Sequence, residues 1–405
     1  MLWRIARKSL WHRRVTVGLI VLAMSIAFAV QLSVQHVRSE VQSTFQGTVS
    51  GTDLIVGART GSTNLLLSSL FGIGSPTRNV SWEAFDQWQQ HKQVAWAIPI
   101  SMGDSHRGHR VIATTDDFFK HFKYGQKQAL AFQQGQPFAT NQDVVLGAAV
   151  ARQLGYGMGH QLVLSHGSGR TSFTQHSDHP FSVVGILAPT GTPIDQTLLI
   201  NLDAMDAIHG QSFAASGRDH PDSISAALFG LKNRVYTFVL QRAINDYPDE
   251  ALMAILPGVE LSLLWENLSW VENGLRAISA LVLLSSLLGM VTLLLVNLQQ
   301  RQSEFATLRT LGAGPWTLFV LIELEVLLIT LSALVSGLLL SWAGTAVAGF
   351  WLERWLGIVL ATLQPNLDML IWFGALLLVS LLVAAPLAWR ASRKVLLKQL
   401  HSEAH

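Results

Sequence analysis

Four apolar runs, at 15–34, 277–298, 318–342 and 369–389, constrain this chain of 405 residues more than any other feature. Each supplies the ~20 residues that an α-helix needs to cross the hydrocarbon core of a bilayer. In lipid a helix also satisfies its backbone hydrogen bonds within itself. Half of the chain is hydrophobic and only 13% is charged, against about a quarter in a soluble domain. The shortfall is concentrated in those four windows, so it reports spans and not an unusual core. The expected fold class is membrane α-helical, four transmembrane helices with a large α+β domain inserted between the first and second.

Charge places the ends. Residues 1–14 hold Arg4, Arg7, Lys8, Arg13 and Arg14 and no acid, and Arg390, Arg393, Lys394 and Lys398 follow the last run. Basic flanks stay in the cytoplasm, and four crossings return the C-terminus to the side of the N-terminus. The chain then reads as a basic N-terminus (1–14), first span (15–35), periplasmic domain with flanking stalk helices (36–270) and second span (275–298). A short cytoplasmic helix (299–314), third span (315–350), periplasmic loop (351–368), fourth span (369–389) and basic tail (390–405) complete it. A cleaved signal peptide is the alternative at the start, with Ala27-Phe28-Ala29 as its site, but the apolar run is long for an h-region. The net charge of +2 is too small to argue for nucleic acid, and the absence of Cys excludes disulfides and thiolate chemistry.

Between the second and third runs lies QQRQSEFATLRTLGAGPWTL, too short to hold a domain. Phe305, Leu308 and Leu311, with Ala306 and Ala313, follow a spacing of three and four. Gly312-Ala-Gly-Pro315 then stops one helix and starts the next. A short amphipathic helix on the cytoplasmic face is expected, a handle that a soluble partner can push.

The inserted domain alternates short strands and helices. Strands are expected at 54–58, 94–101, 110–114, 181–187 and 197–201, and helices at 82–90, 116–121 and 233–245. Residues 143–164 read as strand, helix, Gly-rich turn and strand. Residues 36–48 and 260–277 are expected to prolong the first and second spans as helical stalks.

In the third run Ala333, Gly337, Ser341, Thr345 and Gly349 recur every four residues, and Ser25, Ala29 and Ser33 do so in the first. Such ridges let helix backbones approach closely, within one chain or between two copies. Glu323 and Glu325 fall ~12–15 Å along the helix that Pro315 begins. Carboxylates at that depth are functional candidates unless they pair with a base such as Arg309. The search for chemistry is otherwise negative: no P-loop, no H-E-x-x-H and no G-x-S-x-G occur. Histidine is enriched, 11 of 14 lying between His36 and His220. Asp104, His106 and His109 form one cluster, and His166, His176, Asp178 and His179 another. Imidazole and carboxylate suit Zn²⁺, with His176, Asp178 and His179 the candidates. These read as solvated loop positions without a ligand spacing, and no metal is expected.

The pattern resembles the FtsX-like, MacB-type permease family of ABC transporters. Glu304, Ala306, Leu308, Arg309, Leu311, Gly312 and Ala313 match its E-x-A-x-L-R-x-L-G-A signature, and Glu325 stands where members often carry a Glu. Residues 144–150 and 154–164, Val183-Val-Gly-Ile-Leu with Thr190-Gly-Thr, and TDLIVGA at 52–58 resemble its periplasmic core domain. The resemblance implies a bacterial inner-membrane subunit that is not itself an enzyme, with Glu304, Phe305, Leu308, Arg309, Leu311 and Gly312 engaging a cytoplasmic ABC ATPase. ATP and Mg²⁺ would be bound by that separate chain, since no nucleotide-binding domain precedes the first span, and this chain would carry no cofactor. It further implies a second copy or a close homologue, contact with membrane lipid, and mechanotransmission to the outer domain for export or extraction of a substrate. A periplasmic adaptor, lipoprotein or binding protein is a further expected partner. Activation of a periplasmic cell-wall hydrolase without transport is the alternative, and a membrane-tethered metallohydrolase a distant third.

Overall fold

The computed structural model describes residues 2–48, 50–166, 180–209, 213–214, 217–356 and 367–402. They form two compact units, one within 1–39, 270–350 and 367–402 and the other within 40–269 and 351–356. Four helices are long and apolar enough to cross a membrane, Arg14–Thr48, Pro257–Gln300, Pro315–Trp351 and Met369–Arg393.

Several helices outrun their apolar cores because nothing stops them. Arg14–Thr48 and Pro257–Gln300 each run unbroken from the helical unit into the inserted one. The third continues to Leu356, so the loop expected at 351–368 is helical through Trp351-Leu-Glu-Arg-Trp-Leu356, which contains neither Gly nor Pro. Residues 357–366 lie outside the described residues. The fourth helix, Leu367–Ser402, likewise takes in most of the basic tail. The N-terminal segment is itself a helix, Leu2–His12, separated from the first span by Arg13.

The inserted unit is built on one eleven-stranded sheet. Its main path runs Leu252–Ile255, Leu54–Ala58, Ala226–Leu231, Val94–His106, His109–Thr114, Thr197–Asn201, Asp143–Leu146, Phe181–Leu187, Phe132–Gly135. The thirteen-residue strand Val94–His106 joins two halves: Val94–Ile100 pairs antiparallel with Ala226–Leu231, and Ser101–His106 with His109–Thr114. The first half is antiparallel, whereas the second contains parallel pairs of Thr197–Asn201 with His109–Thr114 and of Phe181–Leu187 with Asp143–Leu146. Ile98, Leu228, Val145 and Leu199 are fully buried in the main core. The same core takes in the helix ends that belong to this unit. Phe45 stacks on Phe71 at 4.3 Å and meets Trp265 edge-on at 5.7 Å. Aromatic pairs of this kind add about 0.5–1.5 kcal/mol beyond their buried area.

In the helical unit the two ridges of small residues meet each other. Ser25 Oγ lies 2.7 Å from Ser336 Oγ and donates to Ala333 O at 3.2 Å, and Ser33 Oγ lies 3.1 Å from Ser341 Oγ. A Cβ on Gly337 would stand 2.9 Å from both Ser25 O and Phe28 Cδ1. The ridge is therefore occupied within the chain at Ala333, Gly337 and Ser341, all buried. Thr345 is buried as well, its hydroxyl donating back to Ser341 O at 2.9 Å. Phe28 also touches Phe373 of the fourth helix at 4.9 Å, and Thr330 Oγ1 donates to Ser380 Oγ at 3.1 Å. Gly337→Leu is expected to wedge the first and third helices apart and cost about 1–3 kcal/mol. A melting temperature equal to the parent's in detergent would show that the contact is not as close as described.

Candidate functional site

The stretch between the second and third long helices forms a helix, Gln302–Thr310, whose two ends are fixed by different chemistry. At the C-terminal end the chain closes in a Schellman turn. Gly312 N–H donates to Arg309 O at 2.9 Å and Ala313 N–H to Leu308 O at 3.0 Å, with Gly312 at φ 94°. A side chain is strained in that left-handed region, which gives the Leu-Gly-Ala of 311–313 a physical reason. Pro315 then opens the third helix, where its missing N–H is no loss.

At the N-terminal end Arg301 is the anchor. Its Nη1 reaches both carboxylate oxygens of Glu325, at 2.7 and 2.8 Å, and its Nε donates to Glu304 Oε2 at 2.8 Å. The guanidinium also lies 4.8 Å from the centre of the Phe305 ring. Arg301 is 3% exposed and Glu325 8%. Burying two charges costs several kcal/mol per ion unless pairing and hydrogen bonds are good, and here one guanidinium serves two carboxylates. Arg13, immediately before the first span, lies 3.7 Å from Glu304 Oε1 and brings the N-terminal helix to the same point.

The helix therefore has an inner and an outer face. Phe305, expected among the partner-engaging residues, is turned inward instead, 2% exposed among Ala6, Leu318, Leu321 and Ala388. Leu308 packs partly against the same cluster. Glu304, Thr307, Thr310, Leu311 and Gly312 are exposed, and Arg309 is half-buried. Leu311, 79% exposed, is a large apolar side chain offered outward. The base that Glu325 takes is Arg301, not Arg309, because Arg301 begins the short helix at the level of Glu325 while Arg309 sits at its far end. Glu323 is half-buried, with Oε1 lacking a hydrogen-bond partner among the described residues. Nothing in the spacing of Arg13 or Arg301 announces these roles, because their partners Glu304 and Glu325 are set by the packing of the helices.

The inserted unit redefines the histidine clusters. Asp104 and His106 are not loop residues but lie in Val94–His106, and His109 opens the next strand across a tight turn with Arg107 at φ 49° and Gly108 at φ 86°. Both ring nitrogens of His106 are engaged, Nδ1 with Val163 O at 2.7 Å and Nε2 with Tyr156 OH at 3.0 Å. Burial holds its pKa below the ordinary value, so this imidazole is a neutral core residue. Among the described residues no three His, Asp or Glu converge as metal ligands; His176, Asp178 and His179 lie outside them.

Asp104, buried, faces His209 Nε2 at 3.7 Å across the sheet-to-helix contact. That carboxylate raises the His209 pKa above the ordinary 6.5. A group with a raised folded pKa contributes stability that is present below the unfolded pKa and lost as pH rises through the folded one. His209→Gln is thus expected to destabilise the protein more on the acid side of 6.5 than well above it. Melting curves of both proteins across that range check this, and an offset independent of pH refutes it.

A model described as the MacB-like periplasmic core domain matches residues 15–240, and one described as the FtsX-like permease C-terminal domain matches residues 276–396. Among solved structures the chain is similar to the periplasmic region of MacB from Actinobacillus actinomycetemcomitans. The identity is 11% and the TM-score 0.35, over 55% of this chain and 95% of that one. It is also similar to the extracellular domain of the noncanonic ABC-type transporter YknZ from Gram-positive bacteria, at 10% identity and TM-score 0.32, over 50% of this chain and 98% of that one. No curated protein matches the chain. The core-domain match alone covers more than half of the residues and the permease match takes in the last three long helices, so the chain belongs to the MacB/FtsX-like permease family, the membrane component of ABC transporters.

Proposed function

We propose that this permease works by mechanotransmission, with a separate cytoplasmic ABC ATPase gripping the exposed face of Gln302–Thr310 and the adjoining Leu311. ATP and Mg²⁺ are bound by that partner. Binding and hydrolysis displace the short helix, and the long helices relay the movement to the inserted domain on the periplasmic side for export or extraction of a substrate. Both termini lie in the cytoplasm in this reading, and a second copy or close homologue completes the membrane part. A periplasmic adaptor, lipoprotein or binding protein is the expected partner of the outer domain.

The observation that carries the reading is the two-faced mounting of Gln302–Thr310. Arg301 and Phe305 hold it on the inner side, while Glu304, Thr307 and Leu311 are left outside. A force applied there reaches Arg13 through Glu304, and the helix that begins at Arg14 carries Phe45 in the core of the inserted domain.

The chain has no Cys, so a photocrosslinker can be placed singly on Thr307→Cys. In native membranes it should capture a polypeptide with a P-loop, and the yield should change with nucleotide. Capture of no ATP-binding protein, or labelling of position 307 by a reagent confined to the periplasm, would remove the reading.

A further inference from the structure

We propose that the helix Leu2–His12 is a surface helix that binds the headgroups of anionic phospholipids, and that Arg13 ties this lipid-bound helix to Glu304. The inference needs only that the long helices cross a membrane; it stands apart from any ATPase.

One side of the helix is spent on the protein. Ala6 is fully buried in the helical unit, and Ile5 and Leu10 pack beside it. The other side has no protein against it among the described residues. Trp3 is 50% and Trp11 72% exposed, and Arg4, Arg7 and Lys8 are exposed with them. Trp3, Arg7 and Trp11 are spaced by four and make one stripe; Arg4 and Lys8 make the next.

Lipid is the occupant that this chemistry fits. Tryptophan settles at the headgroup level, where one part of the ring is dry and its N–H is wet. Cations beside it are drawn to a negative leaflet. Residues 1–14 carry five cations and no acid. Position agrees, because Arg13 alone separates this helix from a bilayer-length one. The same end of the unit carries further tryptophans: Trp316, 65% exposed, lies 6.5 Å from Trp389, which in turn is covered by the Arg393 guanidinium at 4.5 Å. Together these side chains form an interfacial belt.

The test uses the full chain carrying a nitroxide at Trp11→Cys, reconstituted in two kinds of vesicle: phosphatidylcholine alone, or phosphatidylcholine and phosphatidylglycerol in equal parts. With phosphatidylglycerol present the probe should be accessible to oxygen and shielded from a water-soluble nickel chelate. High salt should reverse part of that shielding. The variant R4Q/R7Q/K8Q, changed only at exposed positions, should lose the preference for phosphatidylglycerol by about a hundredfold, roughly fivefold per cation. Equal immersion in both vesicles and in the variant would overturn the proposal, since headgroup charge would then do nothing. A probe that stays in water in both vesicles, and is shielded only when an acidic soluble protein is added, would overturn it in favour of a protein partner.

Discussion

Glu325→Ala is expected to destabilise the helical unit by about 3–5 kcal/mol, the usual result of stranding one charge of a buried pair. The magnitude follows from the site: Arg301 is 3% exposed and gives two of its short hydrogen bonds to Glu325. Arg301→Ala should cost a similar amount and also release Glu304, which among the described residues then keeps Arg13 at 3.7 Å. The double replacement of Arg301→Met with Glu325→Leu separates charge from packing. Apolar side chains of similar size often match or exceed a buried ion pair in stability, so this protein should melt near the parent. Melting in detergent distinguishes the three, and a Glu325→Ala protein that melts with the parent would contradict the buried pair. If the short helix works as a handle, the double variant should be stable yet poorly coupled, because a greasy contact fixes the angle of the helix less tightly than a forked hydrogen bond.

The second large effect is expected at Phe305. Truncation to Ala removes a ring that is 2% exposed and lies under the Arg301 guanidinium, at a cost of about 3–5 kcal/mol. Leu311→Ala, two residues beyond Arg309 and 79% exposed, should leave stability within about 0.5 kcal/mol. On the proposed function it should instead weaken capture of the ATPase about five- to tenfold, as loss of an anchoring side chain does. The two substitutions thus separate mounting from gripping. Equal melting of both proteins would contradict the inner and outer faces, and undiminished capture by the Leu311 variant would remove that residue from the grip.

What could be read from the residues was what depends on near neighbours. The bilayer-length runs, Pro315 opening a helix, Gly312 closing one, and the strands Leu54–Ala58 and Phe181–Leu187 all rest on periodicity or on a single backbone requirement. The meeting of Ser25 and Ser33 with the 333–345 ridge was half legible: each ridge was visible, their mutual contact was not. Harder still were choices made by the tertiary structure. Spacing offers Arg309 as the base for Glu325, and only the packed helices put Arg301 there instead. Asp104 and His106 read as loop because a polar run hides a strand whose neighbours are Ser105-facing Ser165 and the hairpin return at His109. The amphipathic character of Leu2–His12 is masked in the sequence by its cations, which carry a topology signal as well as marking a face.

The unbroken helix Arg14–Thr48 has a mechanical consequence. Its 35 residues make a rod of about 52 Å at ~1.5 Å per residue. A hydrocarbon core takes about 30 Å of that length, so about 20 Å of the helix is left outside it, and the polar residues Gln35, His36, Arg38, Ser39 and Glu40 fall in that remainder. Within the helix glycine stands only near the two ends, at Gly18 and Gly47, and proline nowhere, so neither of the residues that most weaken a helix interrupts the stretch between them.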